Sequence, residues 1–172
     1  MLVQHLINRN YKDEIENEIS LESKVIKLAC LYRSRLISLI ANWMRVGYCQ
    51  GNFNSDNCAA GGYTLDYGPF GFCELFDPRF QPWTGGGEHF SFFNQPSAAE
   101  TNFKTFCSSL SPLLSESKHD FEKLKQIEKD FSELMNKELM KMWANKLGLE
   151  HYNETLITVS YTHLTLPTMI RV

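Results

Sequence analysis

The chain has 172 residues, 43% of them hydrophobic, which suffices for one sizeable core and predicts a single domain. A net charge of −3 and a pI near 6.0 disfavour nucleic acid or an anionic membrane surface as a partner. Five cysteines, at 30, 49, 58, 73 and 107, form no C-x-x-C pair and are odd in number, so they predict reduced intracellular thiols and no disulfide framework.

No apolar run approaches the roughly 20 residues of a membrane span, and Met1–Asn10 lacks the design of a signal peptide. Leu2 to Arg9 reads as a short apolar helix, in which His5 is a packed or surface residue because no second ligand stands at helical spacing. Residues 12–23, with Lys12, Asp13, Glu14, Glu16, Glu18 and Glu22, read as a solvated loop. From Glu22 to Arg45, Val25, Leu28, Ala29, Tyr32, Leu36, Leu39, Ile40 and Trp43 recur at three and four, which predicts a long amphipathic helix. Gly47 fits its C-terminal stop. This helix is scaffold, and its end delivers the loop that follows.

That loop, Val46 to Pro69, places Asn52, Asn54, Asp56, Asn57 and Asp66 within fifteen residues, with Gly61 and Gly62 among them and Gly51 and Gly68 on either side. Tyr63-Thr64-Leu65 is a short β-prone run ending at Asp66. Carboxylates and carboxamides on tight loops at strand ends are hard oxygen ligands. They suit Mg²⁺, which takes one or two protein carboxylates and leaves its other positions to water and phosphates. An N-x-N-x-D-N run taken alone is equally an Asx-rich turn; Asp66-Tyr67-Gly68 downstream favours the metal site. Cys49 and Cys58 flank the loop without a cationic sequence neighbour to lower their pKa, so they read as packing residues.

The spacing matches the protein-kinase order of catalytic loop followed by D-F-G. With Asn57 on the catalytic-loop Asn and Asp66-Tyr67-Gly68 on D-F-G, Gln50-Gly51-Asn52 falls on H-R-D. The base position then holds Asn52, an amide that accepts no proton at neutral pH, and Asp56 is the nearest carboxylate that can. By pattern this is a pseudokinase.

From Gly68 to Pro96 the chain is rich in Pro, Gly and aromatics, including Phe70, Phe72, Phe76, Phe80, Trp83, Phe90, Phe92 and Phe93. A long irregular segment of this kind inside a domain is functional or disordered, and the aromatic density argues for order. Gly85-Gly86-Gly87 lacks the lysine of a phosphate loop and reads as a turn. By position this is the activation-segment analogue, where a protein substrate could dock, with His89 in a structural role. Ser97-Ala98-Ala99-Glu100 matches a capping box opening a helix to about Leu110, and Pro112 breaks it. A second helix is predicted from about Ser117 to Leu147, with Phe121, Leu124, Ile127, Phe131, Leu134, Met135, Met142 and Trp143 on one stripe and Gly148 as its stop. Glu154 to Val159 reads as the start of another helix.

Asn54-Ser55-Asp56-Asn57, Thr64-Leu65-Asp66-Tyr67-Gly68-Pro69, Phe76-Asp77-Pro78 and Asn94-Gln95-Pro96 together resemble, in order, the fingerprint of the selenoprotein O (YdiU) family. The resemblance is strongest over residues 43–96 and extends weakly over 1–158. It departs at Gln50, where the family carries His, and at Asn52-Phe53, where it carries a more apolar pair. It implies a kinase-like fold that binds ATP and transfers AMP to hydroxyl side chains of proteins. It further implies that Asn57 and Asp66 hold the Mg²⁺ (or Mn²⁺) and bind ATP with it, and that Asp56 is the base.

The expected fold is therefore mainly α (α+β), a kinase-like C-lobe fragment with a short β-hairpin around the metal site. Only about fifty residues precede the loop, and they hold no glycine-rich loop, phosphate-binding lysine or glutamate partner. The N-lobe would fall before Met1, so the isolated chain is expected to be inactive. A kinase-type phosphotransferase and a non-catalytic nucleotide- or partner-binding module are the alternatives. An intracellular location is expected, cytoplasmic in a bacterium, with the mitochondrion an alternative in a eukaryote. Residues 160–172 fit neither the family nor the preceding helix, resemble a translated adapter tail, and stand apart from the 1–159 domain.

Overall fold

The computed structural model describes residues 2–65, 68–151, 153 and 155. Six helices carry the fold: α1 (Leu2–Asn10), α2 (Lys12–Ile15), α3 (Leu21–Val46), α4 (Gln95–Leu110), α5 (Lys118–Lys129) and α6 (Phe131–Lys146). Among the described residues the sheet has two short antiparallel strands, β1 (Tyr48–Gln50) and β2 (Phe70–Phe72). The mainly α expectation agrees with this.

α3 is the axis of the domain, and α4, α5 and α6 all pack on it. Ser20 starts it, its hydroxyl accepting the Ser23 N–H at 3.1 Å. Its stripe, Val25, Leu28, Ala29, Tyr32, Leu36 and Ile40, is buried as the spacing predicts. Burying each larger apolar side chain stabilises the fold by about 1.5–3 kcal/mol. Rings lock the helices together: Tyr32 meets Phe106 edge-on at 4.6 Å, and Phe103 stacks on Phe131 at 5.0 Å. Gly47 ends α3 in the left-handed conformation, φ 76°, so the chain reverses directly into β1.

Three expectations change. The segment read as a solvated loop contains α2, because Tyr11 and Ile15, four apart, are buried together beneath the charged residues. Ser97 caps nothing: Pro96, pre-organised for a first helical turn, starts α4 at Gln95, and Ser97 is already interior. Glu100, the other half of the expected box, pairs instead with Lys104 at 2.7 Å.

The long helix from Ser117 is in fact two. Arg33 Nη1 donates to the Ile127 carbonyl at 2.9 Å and faces the Asp130 carboxylate at 3.8 Å. That guanidinium takes over a backbone acceptor at the end of α5, and α6 restarts at Phe131 with the apolar stripe unbroken. The helix expected from Glu154 to Val159 and the 160–172 segment lie outside the described residues, Thr155 excepted.

Candidate active site

The loop is closed by two ties. β1 pairs with β2 in the register Tyr48↔Phe72, Cys49↔Gly71 and Gln50↔Phe70, and the Gly51 N–H extends it to the Pro69 carbonyl at 2.6 Å. A side chain at Gly51 would place its Cβ 2.6 Å from that oxygen, so only glycine allows the approach. Further in, Cys58 and Thr64 form an antiparallel bridge, and Trp43 Nε1 donates to Thr64 Oγ1 at 3.0 Å. The expected hairpin is thus a pair of strands at the mouth of a long loop, with a single bridge inside it.

Between the ties, residues 52–57 fold on themselves. The Asn57 side-chain amide donates to the Asn52 carbonyl at 2.8 Å, and its backbone N–H to Asn54 at 3.0 Å. Asn54 Nδ2 donates to Asn52 Oδ1 at 2.6 Å. With Nδ2 committed, Asn57 Oδ1 has no hydrogen-bond donor among the described residues, and a carboxamide oxygen of this kind could serve a hard divalent cation. Asp56 is exposed on the same turn. Asn52, at the kinase base position, has its side-chain oxygen occupied by Asn54.

Asp66, the other expected ligand and nucleotide contact, lies outside the described residues, as does Tyr67. Among the described residues no three His, Cys, Asp or Glu side chains cluster to hold a metal.

Two carboxamides on α4 hold the loop, and sequence reading did not find either role. Gln95 is fully buried; its Oε1 accepts the Gln50 N–H at 2.9 Å, while Nε2 donates to the Tyr48 carbonyl at 3.0 Å. Seven residues on, two helical turns along the same face, Asn102 Nδ2 donates to the Phe53 carbonyl at 2.9 Å. Its Oδ1 accepts the Ser55 hydroxyl at 2.9 Å. The signal for Gln95 was present in Asn94-Gln95-Pro96, a motif recognisable by its order but silent about which atoms it would reach. His89 is exposed on a short turn, Glu88–Phe90, its ring against Phe90, and lines a groove of about 540 Å³ with Asn54, Ser55 and Thr101.

The five cysteines are free thiols. Burial pushes Cys49 up to about 12, and Cys73 beside it adds to the shift. Burial also raises Cys58, against the opposing hydrogen bonds of Tyr32 and Asn102. Neither flanking thiol is activated, in keeping with a packing role. No helix among the described residues is long and apolar enough to cross a membrane.

A family model described as "Protein adenylyltransferase SelO" matches residues 1–169. This chain belongs to the SelO family. The match runs into the 160–172 segment set apart above. Relatives named "Protein nucleotidyltransferase YdiU" include those of Aromatoleum aromaticum, 36% identical over 79% of this chain, and Cytophaga hutchinsonii, 32% identical over 80%. The Brevibacillus brevis protein is 34% identical over 91%. The chain spans 26%, 26% and 32% of these relatives' own lengths, so it corresponds to about a quarter to a third of a SelO-family protein.

Proposed function

We propose that this chain is the catalytic-loop portion of a SelO-type protein adenylyltransferase with a kinase-like C-lobe. It acts within a longer protein to move AMP from ATP to a Ser, Thr or Tyr hydroxyl of a protein substrate. The observation that carries the reading is the self-braced turn at 52–57, which exposes Asp56 beside Asn57 and commits the Asn57 amide nitrogen so that its oxygen is left for a ligand. Asp66 stands in sequence two residues after Thr64 and three before Pro69, and both are tied to the loop, at Cys58 and Gly51.

In this reading Asn57 Oδ1 and the Asp66 carboxylate are the groups that would hold Mg²⁺ or Mn²⁺. The metal, when bound, neutralises charge on the triphosphate. Asp56 accepts the proton of the attacking hydroxyl. The hydroxyl oxygen bonds to the α-phosphorus, the bond to the β-phosphate bridging oxygen breaks, and pyrophosphate departs with the electron pair. Asn52 is unsuited to the base role, being an amide whose oxygen already accepts from Asn54.

The phosphate-binding cationic residues of such a site have no counterpart in sequence ahead of the loop, so the 172 residues alone are expected to show no turnover. Mass spectrometry of a hydroxyl-bearing acceptor protein incubated with ATP and the full-length protein tests the reading. An added AMP supports it, abolished by Asp66→Ala and reduced by Asp56→Asn. An added phosphate would make the protein a phosphotransferase, and transfer indifferent to Asp66→Ala would make the loop a binding module.

A further inference from the structure

We infer that Asn102, in the middle of α4, is a positioning residue that sets where Asp56 and Asn57 stand. This rests on the role proposed above for that dipeptide. The Asn102 side chain is buried and grips the loop at two points immediately upstream of the pair. Upstream, it donates to the Phe53 carbonyl at 2.9 Å and accepts from the Ser55 hydroxyl at 2.9 Å. Downstream, the Cys58 thiol lines the same small cavity as Asn102 and is 3.1 Å from the Tyr32 hydroxyl on α3.

The turn's internal bonds, Asn57 N–H to Asn54 and Cys58 N–H to Ser55, shape the turn but do not fix it to the helices. At Phe53 and Ser55 the hydrogen bonds to the helices come from Asn102, and at Cys58 the contact is with Tyr32 on α3. The position of Asn102 is rigid, since Ala99 and Phe103 on either side of it in α4 are fully buried.

The space around the loop makes this attachment consequential. Behind it lies a cavity of about 230 Å³, lined by Tyr32, Ser55, Cys58, Asn102 and Phe106. In front is the groove of about 540 Å³ that also reaches Ser55 and Asn102. A loop between two open volumes can shift either way once released. Because a misplacement on the order of 1 Å can cost about a hundredfold in rate, a brace of this kind acts on catalysis more than on stability.

The test uses Ser55→Ala, Asn102→Asp and Asn102→Ala in the full-length protein. The Ser55 side chain is exposed and removing its hydroxyl leaves the core intact. Asn102→Asp keeps the acceptor for Ser55 and loses the donor to Phe53. Amide hydrogen exchange over residues 53–58 and Mn²⁺ binding followed by electron paramagnetic resonance report on the brace independently of turnover. kcat and KM for AMP transfer report on its consequence.

The expected result is exchange accelerated about tenfold or more, weaker Mn²⁺ binding, and kcat lowered about tenfold in Ser55→Ala with an unchanged melting temperature. Asn102→Ala is expected to show larger effects, and Asn102→Asp intermediate ones. Unchanged exchange and Mn²⁺ binding in Ser55→Ala and Asn102→Asp overturn the inference, as does a kcat loss that merely tracks the unfolded fraction. If the unmodified protein transfers no AMP, the functional reading fails, and exchange with Mn²⁺ binding still decides whether Asn102 holds the loop.

Discussion

The side-chain oxygen of Gln95 accepts the backbone N–H of Gln50 at 2.9 Å, although the two residues are 45 apart in the sequence. The same carboxamide donates to the Tyr48 carbonyl, so a single buried side chain completes the free edge of β1. A two-stranded sheet is marginal by itself, and here a helix side chain stands in for a third strand.

Replacing Gln95 with Leu strands a donor and an acceptor in a dry interior. Each buried group left unpaired costs about 1–3 kcal/mol, so a loss of roughly 2–6 kcal/mol is expected from urea denaturation. Glu is not a rescue. It keeps the acceptor for Gln50 but sets a carboxylate against the Tyr48 and Phe92 carbonyls, which Nε2 serves at 3.0 and 3.3 Å. A Gln95→Glu variant as stable as the parent would show that the donated bonds contribute nothing.

This pair also marks how far the sequence could be read. The α3 stripe, the Gly47 stop and the apolar faces of α5 and α6 were legible because each is set by local periodicity. The break at Asp130 was not, because it is imposed by Arg33 from another helix. The start of α4 was misplaced for a local reason: Pro96 outcompetes Ser97 as the initiating residue. At the loop, the order of motifs pointed to the family. The two carboxamides on α4 that hold the loop act across 45 to 49 positions, a separation over which residue pattern says nothing about contact.

Gly62 and Gly148 both adopt positive φ, 75° and 68°, but in different surroundings. At Gly148 an added Cβ meets open space, whereas at Gly62 it would lie 2.4 Å from Arg35 Cβ. Gly148→Ala should therefore cost only the left-handed penalty, about 1–2 kcal/mol. Gly62→Ala adds an overpacking cost of about 1–3 kcal/mol and should lower the denaturation midpoint further. Equal losses at the two sites would mean that the loop around Gly62 yields to the clash.

Stability should fall in alkali. Burial pushes the thiols of Cys49 and Cys107 up to about 12 from an ordinary value of 9.0. Above pH 9 the unfolded chain releases these protons and the folded chain keeps them. The unfolded state then binds fewer protons, so unfolding becomes more favourable as pH rises. The contribution is fully present below pH 9 and is lost between 9 and 12, by up to roughly 1.4 kcal/mol per pH unit for each thiol. Burial likewise raises the Tyr32 phenol, extending the loss at the upper end. Urea midpoints measured from pH 7 to 11 should be flat to about 9 and then drop. A Cys49→Ser, Cys107→Ser variant should start lower and show a shallower drop.

Arg35 ties the first two helices to the loop, and geometry should matter there more than charge. Its guanidinium lies 4.2 Å above the Tyr11 ring, donates to the Asn10 carbonyl at 2.9 Å, and reaches the Gly61 carbonyl at 3.4 Å. Tyr11 in turn donates from its hydroxyl to the Ala60 carbonyl at 2.6 Å. The same guanidinium pairs with Glu14, but both side chains are about a third exposed, at 36% and 39%, so solvent screens that pair. Exposed pairs contribute about 0–1 kcal/mol, and stacking over the ring about 0.5–1 kcal/mol. A lysine carries the charge without the planar fork that spans these carbonyls while lying flat on Tyr11. Arg35→Lys should thus cost about 1–2 kcal/mol, and the loss should persist in 1 M salt, whereas Glu14→Gln should cost under about 1 kcal/mol and be masked by salt. If Arg35→Lys is neutral while Glu14→Gln is not, the ion pair and not the fork is what fastens α1 and α2 to residues 60–61.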